Sequence, residues 1–312
     1  MPDVVHVGYP KAGSTYLQKH VFPLINDCAF LTHWGPGAVE FRPLIRTLYL
    51  ADDDHYLGRT ISSFIDEWRA SHPGPLLLSD ENLTGGLLPI VDTWERNAER
   101  IHKLLPNAQI LIVVRHQRSL LRSAYSHYVQ RGGYATFDDV IAGRGGRATF
   151  QPEVFCFHHL VGRYQDLFGA ERVKVVPYEL IMRDEARFCS EIASLVHGRP
   201  TSVPAARGAR ENTSLSPPSI WIMRQTNRMF RVSTYNARPT VRKIGAASRL
   251  RPVLHRTVDR LVSSSLARKL NERTAPSLPD VLGTFEESNS ILEEMAGVRL
   301  RELGYPMSEP GS

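Results

Sequence analysis

The sequence predicts an α/β fold in which a parallel β-sheet is flanked by helices on both faces. Short apolar segments alternate with amphipathic segments along roughly the first 200 residues, and short loops join them. The apolar segments contain few polar residues, as expected of strands that are buried on both faces. The chain has 312 residues, 42% of them hydrophobic, which is enough for a sizeable core. We expect a single domain over residues 1–312.

Each predicted strand is a short apolar run that ends at a loop or a turn. The predicted strands are 4–9 (VVHVGY), 29–34 (AFLTHW), 74–83 (GPLLLSDENL), 108–115 (AQILIVVR) and 171–180 (ERVKVVPYEL). Helical spacing of apolar residues follows each of them. The predicted helices begin near Ser14 or Thr15, then cover 38–70 with a polar break at 51–56, and then 92–105, 118–132 and 185–198. The segments 143–152 and 199–218, rich in Gly, Arg and Pro, are predicted loops.

Polar and charged side chains gather where these predicted strands end. They are Lys11, His33, Asp80, Glu81, Arg115 and Tyr178. Open parallel sheets bind their ligands beyond the carboxyl ends of the strands. The sequence therefore predicts a functional site at this edge of the sheet.

Charge is concentrated late in the chain. Nine Arg or Lys residues lie between Arg238 and Lys269, against one acid, Asp259. This pattern is compatible with a solvated helical face or with a surface that attracts an anionic substrate. Nucleic acid is a less suitable partner, because the stretch lacks the interleaved aromatic residues of a stacking platform. We expect 215–280 to be a variable, helical and basic segment on the acceptor side of the site.

Composition also indicates where the protein works. The three cysteines, Cys28, Cys156 and Cys189, are odd in number and widely spaced, which favours reduced thiols over a disulfide framework or a zinc site. No stretch approaches the roughly 18 to 20 apolar residues of a membrane helix. The N-terminal residues also lack the pattern of a signal peptide. We expect a cytoplasmic protein without an integral membrane segment; its oligomeric state is not predicted.

The first strand leads into a loop that departs from the ATP-binding P-loop. That motif requires G-x-x-x-x-G-K-[ST], whereas here Lys11 comes two residues before the second glycine, Gly13. A loop between a buried strand and a helix offers backbone N–H groups and a positive dipole end to a phosphate. The pattern resembles the 5′-phosphosulfate-binding loop of sulfotransferases. The resemblance assigns donor binding to Pro10, Lys11, Ala12, Gly13, Ser14 and Thr15.

A second segment, 111–133, strengthens this resemblance. It places Arg115 at a strand end and Ser123 eight residues later on the next helix. This is similar to the R-x7-S segment with which sulfotransferases bind the 3′-phosphate of their donor, 3′-phosphoadenosine 5′-phosphosulfate (PAPS). Arginine offers a bidentate fork to phosphate, and a serine hydroxyl can donate beside it.

Later segments resemble the family more loosely. Residues 157–198 resemble a strand-Tyr-Glu-helix segment that packs near the adenine, and they assign Tyr178 to the donor site. Residues 285–306 resemble the closing helix of bacterial members. The loop residues Arg210, Asn212 and Ser214 match, in position and polarity, a basic loop that closes over the 3′-phosphate. The resemblance implies PAPS as co-substrate and no metal.

The catalytic base is harder to assign, whereas Lys11 suits the electrostatic role at the transferring group. Cytosolic sulfotransferases use a histidine at the end of the strand before the arginine strand; Asp80 or Glu81 stands there in this chain. Sugar and tyrosylprotein sulfotransferases use a glutamate about 20 to 30 residues after the loop, as general base. That window contains His33 and Glu40. Glu81, His33 and Glu40 therefore remain candidates, while His127, His158 and His159 have the wrong context for a base.

These features predict transfer of a sulfuryl group from PAPS to a hydroxyl or amine of an acceptor. A saccharide or another polyhydroxylated small molecule suits the basic segment better than a flat phenol does. Two alternatives stay open. A P-loop kinase would use a strand-end aspartate such as Asp80 to hold Mg²⁺. A sulfotransferase-like protein without a base would only bind its ligands.

Overall fold

The computed structural model describes residues 2–35, 37–87, 90–91, 93–145, 152–198, 215–230, 233, 235 and 278–309. Seven strands lie within these residues. They are β1 (Val4–His6), β2 (Ala29–Thr32), β3 (Leu76–Ser79), β4 (Gly86–Leu87), β5 (Ile90–Val91), β6 (Gln109–Val114) and β7 (Val173–Pro177). β4 and β5 form a small antiparallel pair, and the other five form one sheet. The predicted strands are thus confirmed, each shorter than its apolar segment.

The five-stranded sheet is parallel throughout and has the order β2-β3-β1-β6-β7. β1 is central, and its Val5 pairs with Leu78 of β3 and Ile110 of β6. Both valines of β1 are fully buried, as are the last five residues of β6. Branched side chains pack well on a pleated surface that is covered on both faces, which explains why these short runs form strands.

Helices flank the sheet, in agreement with the predicted α/β fold. In chain order they are α1 (Ser14–Tyr16), α2 (Ala38–Leu50), α3 (Gly58–Ser71), α4 (Trp94–Leu104), α5 (Gln117–Gln130), α6 (Phe137–Ile141), α7 (Phe157–Phe168), α8 (Glu179–Arg183), α9 (Glu185–His197), α10 (Pro217–Phe230), α11 (Leu278–Gly283) and α12 (Glu286–Ala296). The predicted break at 51–56 separates α2 from α3. α9 ends, as predicted, at Gly198, which adopts a left-handed conformation with φ of 61°.

The first helix is less regular than the sequence suggests. Ser14 and Thr15 were both suitable caps, but Gly13 takes the cap position with φ of 93°, and no side chain caps the helix. α1 continues into a wider π-helical turn over Leu17–Val21 and then a tight 3₁₀ turn over Phe22–Leu24. Such irregular turns are often found at functional sites.

Two predictions concern residues outside the described part of the chain. The loop with Arg210, Asn212 and Ser214 is one, and the basic segment 238–269 is the other. Of the larger segment 215–280, which contains 238–269, the described residues include helix α10 and the start of α11. Among the described residues, no helix has the length and apolar character required to cross a membrane.

Candidate active site

All five strands of the parallel sheet deliver a polar residue to the same edge. His33 follows β2, Asp80 and Glu81 follow β3, Lys11 lies in the loop after β1, Arg115 follows β6, and Tyr178 follows β7. The strand order divides them into two groups. The acid–base cluster (His33, Asp80 and Glu81) stands at β2 and β3, and the donor-side residues stand at β1, β6 and β7.

The loop after β1 is tightly folded. Lys11 has a φ of 72°, unusual for a residue with a side chain. The Ala12 N–H donates to the Tyr9 carbonyl at 3.0 Å, and the Lys11 carbonyl accepts from Arg115 Nη1 at 2.7 Å. Ala12 is fully buried and presents only its backbone to the loop. The fold therefore sets the direction of Lys11 through the backbone.

Ser14 opens the helix that follows this loop. Its side chain is 4% exposed, and its hydroxyl has no hydrogen-bond partner among the described residues. A buried hydroxyl without a partner is costly unless a ligand or water completes it. The N–H groups of a first helical turn also lack intrahelical partners. Ser14 and the adjoining backbone are thus suited to an anion; Thr15 and Pro10 flank this position and are half-buried.

Arg115 connects the loop, helix α5 and Tyr178. Besides its bond to the loop, its Nε donates to Ser119 Oγ at 3.0 Å. Its guanidinium carbon lies 4.7 Å from the centre of the Tyr178 ring, a cation–π contact. The Tyr178 ring also lies against Gly13, where an added Cβ would be 2.6 Å from two ring carbons. Arg115, Tyr178 and the loop therefore contact one another; their assignment to donor binding stays a prediction.

The serine that contacts Arg115 is Ser119 rather than Ser123. Ser123 lies one turn farther along α5 and is 9% exposed. The R-x7-S template directs attention to the eighth residue only, so it overlooks Ser119.

Two other residues of the α5 region belong to this side of the site. Burial lowers the pKa of Lys11, Glu81 raises it, and Arg131 and Arg115 lower it further. Burial lowers the pKa of His127 to about 4, with added contributions from Lys11 and Arg131. His127 is therefore neutral near pH 7. The motifs assign no role to His127 and do not single out Arg131, yet the Arg131 charge acts on the pKa of Lys11, and the Lys11 charge lowers the pKa of His127.

In the acid–base cluster, Asp80 and His33 form a buried pair. Asp80 is fully buried, and its Oδ1 accepts from the Asn82 N–H and Nδ2, both at 2.8 Å. Its Oδ2 lies 3.3 Å from His33 Nδ1, without the alignment of a hydrogen bond. Burial lowers the pKa of His33, but Asp80 and Glu81 outweigh burial, so the net pKa is raised.

Glu81 follows Asp80 and interacts electrostatically with both His33 and Lys11. Burial raises its pKa and so does Asp80, whereas His33 and a 3.4 Å contact from Gln18 Nε2 oppose the rise. The net shift is upward, towards the range in which a carboxylate is an effective general base. Since Glu81 also acts on the pKa of Lys11, the acid–base cluster and the donor-side residues are electrostatically coupled.

Polar residues support the cluster from below. His6 Nδ1 lies 2.8 Å from Ser79 Oγ, and Gln18 Nε2 donates to the same hydroxyl at 3.0 Å. Burial lowers the pKa of His6 to about 3 although Asp80 opposes the shift. The neutral imidazole of His6 therefore takes no part in proton transfer near pH 7 and acts as a structural group.

Glu40, the third candidate base, does not join the cluster. It is exposed in the first turn of α2. Arg42, two residues on, donates from Nε and Nη2 to the His33 carbonyl at 3.2 and 2.8 Å. Residues two positions apart point to nearly opposite sides of a helix, so Glu40 faces away from the site. His158 is also elsewhere, with its Nδ1 2.8 Å from Ser288 Oγ.

Comparisons with known proteins give distant structural matches. No protein-family model matches the chain, and no curated protein matches it. A sulfotransferase from Alicyclobacillus acidocaldarius is 18% identical, with a TM-score of 0.47 over 73% of this chain and 94% of that one. A mouse sulfotransferase in complex with PAP is 14% identical, with a TM-score of 0.39 over 86% and 88%. The sulfotransferase domain from the curacin biosynthetic pathway is 14% identical, with a TM-score of 0.39 over 69% and 80%.

Proposed function

We propose that this protein transfers a sulfuryl group from PAPS to a hydroxyl or amine of an acceptor, a saccharide or another polyhydroxylated small molecule. One observation carries the proposal. Lys11, in a loop suited to an anion, and Glu81, a half-buried carboxylate with a raised pKa, follow the adjacent strands β1 and β3 and interact electrostatically. A cation and a base side by side are what an in-line transfer between two oxygens requires.

The donor-side residues fit the charges of PAPS. The unpartnered Ser14 hydroxyl and the loop backbone suit the 5′-phosphosulfate, with Lys11 beside the transferring group. Arg115 suits the 3′-phosphate, and the Ser123 hydroxyl of α5 can donate beside it. The Ser119 hydroxyl accepts from Arg115 and donates to the His116 carbonyl, so it orients Arg115. Tyr178 fixes the direction of Arg115 by stacking on it. The assignments of Arg210, Asn212 and Ser214 remain predictions.

The proposed reaction is a direct displacement at sulfur. The acceptor oxygen forms a bond to sulfur while the bond from sulfur to the bridging oxygen of the donor breaks, and adenosine 3′,5′-bisphosphate (PAP) leaves. The acceptor proton passes to Glu81 or His33, whose raised pKa values hold it near pH 7 better than ordinary values would. Lys11 stabilises the negative charge that develops on the bridging oxygen.

A phosphoryl-transfer function fits these residues less well. The lysine is not in the order of a P-loop kinase, and Ser14 occupies the position that such a kinase gives to lysine. Asp80, the candidate for Mg²⁺, turns one oxygen to Asn82 and the other to His33. An inactive binding protein would not need the raised pKa values of Glu81 and His33.

The test is PAP binding measured by calorimetry, with and without Mg²⁺. We expect wild type to bind without Mg²⁺, and Arg115→Ala to lose roughly 2 to 4 kcal/mol of binding free energy, as for the loss of a charge-assisted fork. Arg118→Ala, at an exposed position in the first turn of α5, is the matched control and should bind as wild type does. Unchanged affinity in folded Arg115→Ala contradicts the 3′-phosphate assignment, and binding that depends on Mg²⁺ favours the kinase.

A further inference from the structure

An exposed tryptophan borders the acid–base cluster on the side away from the donor-side residues. Trp34 follows His33 at the end of β2, the edge strand, and is 49% exposed. Its ring centre lies 4.8 Å from that of His33. The guanidinium carbon of Arg42 lies 5.4 Å from the Trp34 ring centre. The indole is thus held from two directions and still presents about half of its surface.

Helix α2 adds positive charge to the same side. Arg42, Arg46 and Tyr49 follow one another at spacings of four and three residues, so they lie on one face of the helix. Arg42 and Arg46 are exposed. Burial raises the pKa of Tyr49, and the negative charges of Asp80 and Glu81 raise it further, whereas Arg46 and Arg42 lower it. Arg42 of this face donates to the His33 carbonyl, which places the face beside the acid–base cluster.

A single exposed aromatic residue is ordinary on a protein surface. Trp34 differs in its neighbours, since it adjoins one candidate base and the guanidinium of Arg42, and Arg46 lies one turn farther along the same face of α2. An aromatic ring with a polar edge, flanked by guanidinium groups, is a favourable contact surface for a ring that carries negative charge. The strand order places this surface on the side from which an acceptor must approach, because the donor-side residues occupy the other strands.

We propose that Trp34, Arg42 and Arg46 form the acceptor-binding surface, and that the acceptor combines a ring with a negative charge. This inference rests on the proposed sulfuryl transfer. The ring of the acceptor stacks on the exposed face of Trp34. The anionic group of the acceptor lies against Arg46, near Arg42. An acidic saccharide has this chemistry and falls within the proposed acceptor class; an aromatic hydroxy acid has the same chemistry and falls outside that class.

The experiment uses the full chain saturated with PAP and calorimetric titration with two pairs of probes. The first pair is the unsulfated hyaluronan disaccharide and its carboxyl-reduced, neutral counterpart. The second pair is 4-hydroxybenzoate and the neutral 4-hydroxybenzyl alcohol. Trp34→Ala and Arg46→Gln are the variants, since Arg42 also holds the His33 carbonyl. Trp221→Ala, 51% exposed on α10, and the exposed Arg59→Gln on α3 are the matched controls.

We expect the acidic member of at least one pair to bind wild type about tenfold or more tightly than its neutral counterpart. Trp34→Ala should weaken both members about tenfold, and Arg46→Gln should weaken only the acidic member. Which pair binds identifies the source of the ring. If neither acidic probe binds wild type at about 10 mM, a limit on the scale of weak complexes, the proposal is wrong. The proposal is also wrong if Trp34→Ala binds the probes as tightly as Trp221→Ala does.

PAP affinity, measured separately for each variant, keeps the two proposals apart. It should be unchanged in all four variants, since none of these residues lies among the donor-side residues. Failure of PAP to bind wild type contradicts the proposed sulfuryl transfer. The same probe titrations without PAP then decide whether the Trp34 surface binds acidic rings.

Discussion

Glu81 and His33 influence each other's proton affinity, so neither titrates as an isolated group. Glu81 raises the pKa of His33, and His33 lowers the pKa of Glu81. Sequence reasoning expects a carboxylate to leave the region near pH 6 to 7 flat, as its usual pKa is about 4.3. Because burial raises the pKa of Glu81, a rising limb of kcat with pH does not identify the histidine. The rising limb reports the coupled titration of Glu81 and His33.

Substitution separates the two candidate bases. Removing the base should lower kcat by about 10² to 10⁴, because a positioned base contributes that much, while PAP affinity is kept. The rising limb of kcat that remains in each variant should shift along the pH axis, and the two variants should shift it in opposite directions. In Glu81→Gln the pKa of His33 loses a negative neighbour and falls, so the limb moves to lower pH. In His33→Asn the pKa of Glu81 loses the opposing cation and rises, so the limb moves to higher pH.

The measurement is kcat against pH, followed as transfer of labelled sulfate to an acceptor that wild type uses. Glu40→Gln serves as the comparison, since Glu40 is exposed on the far side of α2 and should leave kcat unchanged. Near-normal turnover in both Glu81→Gln and His33→Asn would exclude both residues as the base. A large loss in Glu40→Gln would place the base outside the described cluster.

At the scale of the elements, the sequence predicted the strands and helices but not how their ends meet. Alternating apolar runs and helical spacing are local properties, so all five parallel strands and the break between α2 and α3 were predictable. The contact of Gly13 with the Tyr178 ring was not predictable, because that ring comes from the segment after β7, far away in the sequence. Ser119 and Arg131 were missed for a similar reason, since their partners come from other elements.

Gly13→Ala tests whether the loop and Tyr178 act together. Alanine would be strained at a φ of 93°, and its Cβ would lie 2.6 Å from the Tyr178 ring, forcing the ring away from Arg115. We expect PAP affinity to fall about tenfold or more. Gly143→Ala, at a φ of 71° with open space around it, carries backbone strain alone. Equal PAP affinity in the two variants, measured by calorimetry, would contradict the role of Tyr178.

For the molecule as a whole, the strand order is the feature that the sequence could not supply. It places β1 in the centre and β2 at the edge, and thereby separates the donor-side residues from the acid–base cluster. Strand order depends on how crossover helices pack, which no local pattern records. The order also buries His6 of β1 beneath the cluster, where Ser79 of β3 contacts its Nδ1.

Burial of His6 makes the stability of the whole protein sensitive to acid. The folded His6 has a pKa of about 3, against 6.5 when unfolded, so the unfolded chain takes up a proton that the folded chain refuses. Stability should therefore fall as the pH drops below about 6.5, by about 2 kcal/mol at pH 5 from this residue alone. In His6→Asn, whose amide can replace Nδ1 at Ser79, this loss should be absent. Urea unfolding at pH 5 and 6.5 measures this loss of stability, and substitution of the exposed His55, as His55→Asn, is the control. An equal loss of stability in His6→Asn and His55→Asn would show that His6 is not the group responsible.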